Sequence, residues 1–351
     1  MQSKLIAAMA LGAFASAASA QSSVTLSGIV DAWVGQTRHK VGATPLGNNT
    51  VVDSGGAQAS RWSLRGNEDL GGGLQAKFVL EQGVSIDSGS VTKVSNSDTG
   101  FNRSSYVGLV GNVGELRLGR MLTAFDALRG STNQLYDSSG FASTGQVWGA
   151  GTTAANGVPA VTGSDDLARG NNTVYYASPF VGPVKGSISY SAPEGASTAT
   201  EAPRMLTGHV EYTSGPLRIG YARQLEHYTT GANNYHLVAG HYNFGPVRLV
   251  GAIQRQSDER VAGHQKSREW QLGLDAPFGA ATVAVGYASA ITDNGAGQKV
   301  VDANGLSLMG TYDLSKSVRL YTAYRKLKVE RKDGSTTLDA SRLGMGMTYK
   351  F

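Results

Sequence analysis

The feature that most constrains this chain is an alternation of apolar and polar residues with a period of two, which returns along most of its length. In VKGSISY (184–190), valine, isoleucine and tyrosine alternate with lysine and serine, and comparable segments occur at 206–212, 269–275, 306–313 and 318–325. Successive side chains of a β-strand point to opposite faces of the sheet, so each segment predicts a strand with one apolar and one polar face. A single strand of this kind leaves open whether its apolar face meets a protein core or lipid.

The stretch SRWSLRGNEDLGGGLQAKFVLEQ (60–82) poses this choice most sharply, because charged residues recur on its polar face. Two alternating halves flank NEDLGGG, a run typical of a turn, so the stretch predicts a hairpin. In a soluble sheet, Arg61 and Arg65 would lie in solvent on the face opposite the core. If the apolar face meets lipid instead, these arginines line the inside of a barrel together with Lys77 and Glu81.

The first twenty residues, MQSKLIAAMALGAFASAASA, predict a secretory signal peptide. Lys4 precedes an apolar run that ends in Ala18-Ser19-Ala20, which is typical of a cleavage site. We therefore expect residues 1–20 to be removed and residues 21–351 to form one domain. The apolar run is too short to serve as a membrane anchor, and no later run is long enough for a membrane helix.

Composition narrows the class of protein further. The chain has 47 glycines and 15 tyrosines, with 16% charged residues and no helix-rich blocks, which indicates an all-β protein. A formal net charge of +5 does not by itself indicate nucleic-acid binding, and we expect no nucleic-acid partner. Cysteine is absent, which excludes disulfides and thiolate metal sites, and the six histidines lack the spacing of a metal site.

Short and long connections alternate along the chain, and this alternation favours a membrane barrel over a sandwich. The short connections are predicted at 67–73, 111–114, 179–183, 214–216, 243–246, 277–280 and 313–316. The long ones are predicted at about 38–58, 85–101, 122–168, 193–204, 228–233, 257–266, 292–303 and 328–336. Bacterial outer-membrane barrels have short turns at one end and long loops at the other, and the spacing predicts about 16 antiparallel strands.

Aromatic residues support the same architecture. Seven tyrosines lie toward the ends of predicted strands, where the interface between lipid and water favours rings with one polar edge: Tyr190, Tyr212, Tyr221, Tyr242, Tyr312, Tyr324 and Tyr349. The last segment, LGMGMTYKF, has an entirely apolar face that ends in Tyr349 and Phe351. Such a strand is rare at the end of a soluble domain.

Several motifs together give the chain a family resemblance: SSVTLSGIVDAWV, SRWSLRGNEDLGGGLQAKFVLEQ, GLVGNVGELRLGR, NNTVYYASP and the terminal YKF. With these motifs, the chain from Ser22 to Phe351 resembles the general diffusion porins of Gram-negative bacteria, and most closely the trimeric porins of β-proteobacteria. The resemblance implies a 16-stranded transmembrane β-barrel and a homotrimer surrounded by outer-membrane lipid and lipopolysaccharide. It also implies that a third loop, about Leu122–Ala168, folds into the lumen, and that Tyr349 and Phe351 act as a signal for the outer-membrane assembly machinery.

The resemblance further implies which residues form the constriction of the pore. In related anion-selective porins a basic cluster faces the inward loop, and its positions correspond to Arg61, Arg103 and Arg169. Glu81, Asp126 and Asp137 would add negative charge and give the passage a transverse field. Related porins place a lysine where this chain has Asn102, so we expect only a modest preference for anions. Arg65 and Lys77 are expected nearer the periplasmic mouth, and Arg117 on the lumenal wall without a special role.

The sequence therefore predicts a water-filled outer-membrane channel for passive diffusion of ions and small hydrophilic solutes, without cofactor or energy source. One alternative is an outer-membrane barrel enzyme of lipase or protease type, although GxSxG, HExxH and Walker A motifs are absent. A second alternative is a secreted lectin-like sandwich, which would be soluble without detergent. Gly28, Ala32 and Gly108, placed on the presumed outer face, would allow barrels to pack closely in a trimer.

Overall fold

The structure, a computed structural model, describes residues 22–42, 44–92, 100–131, 141, 147–148, 167–193, 203–260, 264–332 and 337–351. The predicted signal peptide lies outside the described residues, and its removal stays a prediction. The described strands are β1 (Ser23–Val41), β2 (Thr44–Ser54), β3 (Arg61–Gly71), β4 (Leu74–Gly83), β5 (Ser104–Gly111), β6 (Gly114–Leu122), β7 (Arg169–Ala177), β8 (Val184–Ser191), β9 (Arg204–Ser214), β10 (Leu217–Tyr228), β11 (Gly231–Asn243), β12 (Arg248–Asp258), β13 (Gln265–Phe278), β14 (Ala281–Asp293), β15 (Lys299–Asp313), β16 (Val318–Arg331) and β17 (Thr337–Lys350). A short helix, α1 (Ala124–Ser131), follows β6.

The strands form one closed antiparallel sheet in which β17 pairs with β1. β2 and β3 together make a single strand of this barrel, interrupted at 55–60. β2 pairs with β1 from Ala32 to Val41, and β3 pairs with β1 from Ser23 to Ile29. Counted in this way the barrel has 16 strands, and the predicted fold class is confirmed.

A buried carboxylate fixes the interruption between β2 and β3 to the barrel wall. Asp31 is fully buried and accepts hydrogen bonds from the hydroxyl groups of Tyr321 at 2.8 Å and Thr348 at 2.6 Å. It also accepts bonds from the backbone nitrogens of Ala57 at 3.3 Å and Gln58 at 3.0 Å. These four donors compensate for the burial of the charge and hold the segment before β3 in one place.

The two faces of the barrel show the reverse of the burial seen in a soluble protein. Polar side chains such as Gln224, Glu226 and Gln254 are fully buried on the lumenal side. Apolar side chains on the outer side are exposed, for example Val24 at 68% and Ile253 at 61%. An apolar band of this extent is stable only against lipid, so the hairpin at 60–82 places its arginines in the lumen.

Aromatic residues on the outer face form a girdle near each end of the barrel. Tyr212, Tyr242, Tyr312 and Tyr349 lie near the short turns and are between 38% and 53% exposed. Near the long loops, the rings of Trp270 and Tyr287 pack with their centroids 5.4 Å apart, and Tyr190 and Tyr221 lie on the same outer face. Such rings place their polar edges at the boundary between lipid and water.

Two of the predicted long loops are wrong. Most of 38–58 is strand, because β1 continues to Val41 and β2 begins at Thr44. The segment 228–233 is likewise a tight hairpin, in which Tyr228 pairs with Gly231. In both places, cross-strand pairing extends the sheet through residues whose composition is typical of loops.

The predicted small-residue surface is also corrected. A side chain on Gly28 would collide with the ring of Phe351, whose Cζ atom lies 2.5 Å from the ideal Cβ position. Gly108 faces the lumen, where a Cβ atom would lie 3.4 Å from Cγ of Arg117 and 3.6 Å from Cε of Lys77. Gly28 therefore makes room for Phe351 within the same chain, and Gly108 is not on the outer face.

Candidate pore constriction

The third loop starts with α1, which is tied to the inner wall at its N-terminus. The backbone nitrogen of Ala124 donates to the hydroxyl oxygens of Thr207 at 3.0 Å and Ser189 at 3.2 Å. Nδ1 of His209 donates to the carbonyl oxygen of Ala124 at 2.7 Å. Thr123 adds an N-cap, since its hydroxyl accepts a bond from the first turn of the helix. The loop therefore turns into the lumen as soon as β6 ends.

An apolar contact continues this attachment. Phe125 and Leu128 are fully buried in a cluster that includes Ala222, Tyr235 and Leu237 from β10 and β11. The ring centroids of Phe125 and Tyr235 lie 6.0 Å apart. Removing these apolar side chains from water fixes α1 against the barrel wall.

Further along, the third loop contacts two other parts of the wall. The ring of Phe141 packs edge-on against Trp33 of β1 with centroids 4.8 Å apart, and its backbone nitrogen donates to the carbonyl of Gly56 at 3.4 Å. Nε1 of Trp148 donates to the carbonyl of Trp270 in β13 at 3.4 Å. The described residues of the loop thus contact the inner wall at β1, β10 and β13, which agrees with the predicted inward folding.

Beside this loop, three arginines converge on one carboxylate. Glu81 is 8% exposed, and its Oε1 atom accepts a bond from Nε of Arg103 at 2.8 Å. Its Oε2 atom lies 3.3 Å from Nη2 of Arg65 and 3.9 Å from Nε of Arg61. β3 and β4 bring these groups together, because Ser63 of β3 lies directly opposite Glu81.

Two more arginines extend the group along the wall. Nε of Arg169 donates to the carbonyl oxygen of Arg103 at 2.8 Å. Nε of Arg120 donates to the carbonyl oxygen of Asn102 at 2.7 Å, and its Nη1 donates to Oδ1 of Asn171 at 2.6 Å. We call Arg61, Arg65, Arg103, Arg120 and Arg169 the arginine cluster. Three of these five cations contact Glu81, so two positive charges are in excess around this carboxylate.

Arg120 was missed by the sequence analysis because the strand departs from strict alternation. Counting in twos from Arg117 places Arg120 on the outer face with Leu118. The register of β6 against β7 shifts between Gly119 and Met121, and Gly119 has a φ of 136° that favours glycine. Arg120 lies at this irregularity, where it bonds to Asn102 and Asn171, and a glycine within a strand pattern is the signal that could have indicated it.

Arg65 was expected nearer the short turns, and this expectation is wrong. Its guanidinium contacts Glu81 and therefore belongs to the arginine cluster. A long side chain can reach along the strand from its own position, so the sequence position of Arg65 did not decide where its charge lies. Lys77 does not belong to the arginine cluster, because it forms an ion pair with Glu115.

Asn102 has a structural role at the edge of the cluster. The residue is fully buried, its Oδ1 atom accepts a bond from the backbone nitrogen of Gly83 at 2.9 Å, and its Nδ2 group donates to the carbonyl of Thr92. These bonds tie the end of β4 to the segment before β5. The five arginines supply the positive charge without a lysine at this position.

The acidic side of the predicted constriction is only partly described. Asp126 lies in α1 and forms an ion pair with Arg129. α1 begins close to Arg169, since the backbone nitrogen of Thr123 donates to the carbonyl oxygen of Ala168 at 3.0 Å. Asp137 lies outside the described residues. The helix of the third loop thus places one described carboxylate toward the arginine cluster, while a neighbouring arginine partly neutralises it.

Comparison with known proteins decides the family to which this barrel belongs. The family described as Gram-negative porin matches residues 7–332. The chain belongs to this family. It is 35% identical over 352 residues to outer membrane porin protein 32 of Delftia acidovorans, covering 95% of this chain and 91% of the relative. An outer membrane porin protein of Bordetella pertussis is 27% identical, with 100% of both chains covered.

A solved structure agrees with this assignment. The anion-selective porin from Comamonas acidovorans has a TM-score of 0.73 and 30% sequence identity, and the match covers 94% of this chain and 100% of that one. These relatives are channel proteins and not enzymes, so the alternative of a barrel enzyme is not favoured. The protein is a porin of the bacterial outer membrane, and its barrel forms a water-filled channel for passive diffusion.

Below the arginine cluster, toward the short periplasmic turns, the porin has a second group of charges. Nε and Nη2 of Arg117 donate to the two oxygens of Glu115 at 2.5 and 2.7 Å, and Lys77 pairs with the same carboxylate. The guanidinium of Arg117 also lies 4.8 Å from the ring centroid of Tyr175 and 5.3 Å from that of Tyr106. This geometry holds Arg117 rigidly on the wall.

Tyr349 and Phe351 lie where β17 closes the porin barrel. The backbone nitrogen of Gly28 donates to the carbonyl oxygen of Phe351 at 2.9 Å. The backbone nitrogen of Phe351 donates to the carbonyl oxygen of Gly28 at 3.2 Å. The rings of Tyr349 and Phe351 stack with centroids 6.4 Å apart on the outer face. These contacts give Phe351 a place in the folded barrel, while the predicted role of both rings as an assembly signal stays a prediction.

Proposed function

We propose that this porin passes small anions in preference to cations, and that the arginine cluster sets the preference. The observation that carries the proposal is the convergence of three arginines on one carboxylate, Glu81, with the two other arginines of the cluster bonded to backbone carbonyls next to them. Arg61, Arg103 and Arg169 are the residues assigned to the constriction, with Arg65 and Arg120 beside them. Glu81, Asp126 and Asp137 moderate the positive potential.

The physical basis is the focusing of an electric field in a narrow passage. Low-dielectric walls raise the local concentration of ions of one sign, so an excess of positive charge draws in anions. Fixed charges within a Debye length, about 8 Å at physiological ionic strength, act on a passing ion before salt screens them. Arginine is suited to this role because it stays charged and its weakly hydrated guanidinium releases a paired anion easily.

The solved relative from Comamonas acidovorans supports the proposal, since it is named an anion-selective porin and shares 30% of its sequence with this chain. The excess of positive charge in the arginine cluster independently favours the passage of anions over cations. The negative charges of Glu81 and Asp126 near the cluster argue for a modest preference and not for exclusion of cations.

The experiment is a measurement of the zero-current potential of the purified porin in a planar bilayer under a gradient of potassium chloride. We expect open channels and a potential whose sign shows chloride passing more readily than potassium. A conducting channel that prefers potassium would overturn the assignment of selectivity to the arginine cluster. In that case Glu81 and Asp126 would control the passage instead.

We further propose that three copies associate, as the resemblance to trimeric porins implies. Val34, Val52, Met345 and Met347 lie together on the outer face and are each at least 46% exposed, so this surface requires a cover of lipid or protein. The mass of the porin in neutral detergent, together with current steps in groups of three, tests the association. A mass of one copy with single steps would contradict it.

A further inference from the structure

The interruption between β2 and β3 is built around one aspartate of the inner wall. We call residues 55–60 the connecting segment. At its start, the backbone nitrogen of Gly55 donates to the carbonyl oxygen of Asp31 at 3.0 Å. At its end, the hydroxyl of Ser60 donates to the same carbonyl at 3.0 Å and accepts from the backbone nitrogen of Asp31 at 2.9 Å. The backbone of Asp31 therefore binds both ends of the connecting segment, and its carboxylate is left for the middle.

The carboxylate of Asp31 joins the middle of the connecting segment to two strands of the wall. On the segment, the backbone nitrogens of Ala57 and Gln58 donate to it. On β16 and β17, the hydroxyls of Tyr321 and Thr348 donate to it. Within the described residues, no lysine or arginine forms an ion pair with Asp31. Its negative charge is thus held by donors whose common effect is to fix the segment to the wall.

The connecting segment also bonds to both sides of the candidate constriction. The carbonyl oxygen of Ala59 accepts a bond from Nη1 of Arg61, in the arginine cluster, at 2.8 Å. The carbonyl oxygen of Gly56 accepts a bond from the backbone nitrogen of Phe141, in the third loop, at 3.4 Å. Three residues of chain separate these carbonyls, a length that spans about 10 Å at most. The place of the connecting segment therefore bears on how far Arg61 lies from the third loop.

Close packing leaves the connecting segment little room to shift. A Cβ atom on Gly56 would collide with the hydroxyl oxygen of Tyr321 and would lie 2.8 Å from Cδ1 of Trp33. The side chain of Ala57 is buried in the same apolar cluster as Trp33, Phe141 and Tyr321. Interiors packed in this way transmit a displacement to their neighbours. A shift of the connecting segment would therefore move the ring of Phe141 with it.

We propose that Asp31 is a positioning residue for the constriction, and that it sets the separation between Arg61 and the third loop by fixing the connecting segment. Asp31 is fully buried, so it acts through the segment and not by contact with a passing ion. For ion selectivity, the inference rests on the proposed anion preference of the arginine cluster.

The charge of Asp31 and its positioning role predict opposite changes when the charge is removed. By charge alone, a neutral residue at position 31 would make the lumen less negative and would strengthen the preference for anions. By position, release of the connecting segment lets Arg61 and the third loop move apart, which widens the passage and weakens the preference. The sign of the change in selectivity therefore distinguishes the two roles.

The substitution Asp31→Asn keeps the size of the side chain and removes one acceptor. A carboxylate accepts with both oxygens, whereas an amide has one accepting oxygen and an NH2 group that only donates. Some of the four donors would then face another donor, a loss that is costly in a buried place. Since Tyr321 and Thr348 belong to paired strands, we expect the connecting segment to be the part that moves.

The experiment measures the width and the ion selectivity of the pore separately. Uptake of uncharged sugars into proteoliposomes reports the width, and the zero-current potential under a potassium chloride gradient reports the selectivity. For Asp31→Asn we expect uptake of a sugar near the size limit of the parental pore to rise by about twofold or more, together with a weaker preference for anions. Thr348→Val removes one donor to the carboxylate and should cause a smaller rise, whereas Thr348→Ser keeps the hydroxyl and should behave as the parent does.

Glu211→Gln is the matched control. It also removes a buried carboxylate of the inner wall, but Glu211 pairs with Arg218 and has no described contact with the connecting segment. Sugar uptake through this variant should equal that of the parent. In a Phe141→Ala background, Asp31→Asn should raise sugar uptake less than it does in the parent, because both substitutions act through the same contact.

Parental sugar uptake in a folded Asp31→Asn variant would overturn the proposal, because Asp31 would then only stabilise the barrel. A stronger anion preference in that variant, or an equal rise in uptake in Glu211→Gln, would overturn it as well. Heat-modifiable migration establishes folding; if Asp31→Asn does not fold, the comparison of Thr348→Val with Thr348→Ser decides, and equal uptake in these two contradicts the proposal. A parent without anion preference whose Asp31→Asn variant takes up sugar faster would contradict the function proposed for the arginine cluster and still support positioning by Asp31.

Discussion

The arginine cluster and the charged residues at the periplasmic end of the lumen contain similar side chains in different arrangements. At the periplasmic end, Nε of Arg248 contacts Oδ2 of Asp275 at 2.9 Å, and Nε of Arg319 contacts Oδ1 of Asp313 at 2.5 Å. Each of these arginines has a carboxylate of its own. In the arginine cluster, three arginines share Glu81, and the two others bond to backbone carbonyls.

This difference separates charges that stabilise the barrel from charges that act on a passing ion. A matched ion pair has little field at a distance, because the two charges cancel and salt screens what remains. An unbalanced cluster keeps a potential that extends across a narrow passage. The third loop begins beside the cluster, where the backbone nitrogen of Thr123 donates to the carbonyl oxygen of Ala168, next to Arg169. Selectivity should therefore respond to the cluster far more than to the pairs.

Reversing two charges in the cluster should have the largest effect on selectivity. In the double variant Arg61→Glu and Arg103→Glu, the local charge becomes more negative by four units, because each substitution changes it by two. We expect the zero-current potential under a potassium chloride gradient to change sign toward potassium. Circular dichroism and heat-modifiable migration should show a folded barrel, and an unchanged potential in a folded variant would place the selective region elsewhere.

Release of the third loop should have the next largest effect. Phe141→Ala removes the ring that packs against Trp33, a truncation that typically costs about 3–5 kcal/mol at a buried site. We expect larger or more variable single-channel conductance and a weaker preference for anions, since ions could pass farther from the arginines. Phe278→Ala, at an exposed outer position, is the control. Parental conductance in Phe141→Ala would show that Phe141 does not hold the loop.

Removal of the shared carboxylate should change selectivity and stability in opposite senses. Glu81→Gln leaves Arg61, Arg65 and Arg103 without their common counter-charge, so the preference for anions should rise. Their mutual repulsion and lost hydrogen bonds should lower the free energy of unfolding by about 1–3 kcal/mol. Glu211 is the buried ion-pair partner of Arg218. Glu211→Gln should lower the free energy of unfolding by a similar amount without altering ion selectivity. A fall in anion preference on Glu81→Gln would contradict the assignment.

Loss of one periplasmic pair should have the smallest effect. Arg319→Gln leaves Asp313 alone in a partly exposed position, where an ion pair is worth about 0–1 kcal/mol. We expect a shift in zero-current potential of roughly a tenth of that produced by the charge reversal, because salt screens this isolated charge. Bilayer recordings at low and high salt check this, and a shift comparable with that of the cluster would remove the distinction between the two regions.

Much of the barrel could be predicted because the alternation of residues directly encodes which face each side chain takes. The segment 60–82 is an example, since its arginines lie in the lumen and its apolar residues on the outer face. The alternation failed to indicate Arg120, which lies where the pairing of β6 with β7 is irregular. It also failed for 38–58, where residues typical of loops form strand through pairing with β1.

The site was less predictable than the fold because its geometry depends on contacts between distant parts of the chain. Resemblance to related porins pointed to Arg61, Arg103, Arg169 and Glu81, which the structure brings together. No local pattern indicates that Phe141 packs against Trp33 or that Asp31 fixes the interruption before β3. Such contacts depend on tertiary packing, and the alternation of apolar and polar residues carries no information about which distant residues meet.

The measurement that tests the central claim most directly compares two double variants from which the same charge has been removed. Arg61→Gln with Arg103→Gln neutralises two arginines of the cluster, and Arg248→Gln with Arg319→Gln neutralises two of the periplasmic pairs. The zero-current potential of each is measured in planar bilayers under the same potassium chloride gradient. The account predicts a clear loss of anion preference in the first variant and a nearly parental potential in the second; equal shifts in both would contradict it.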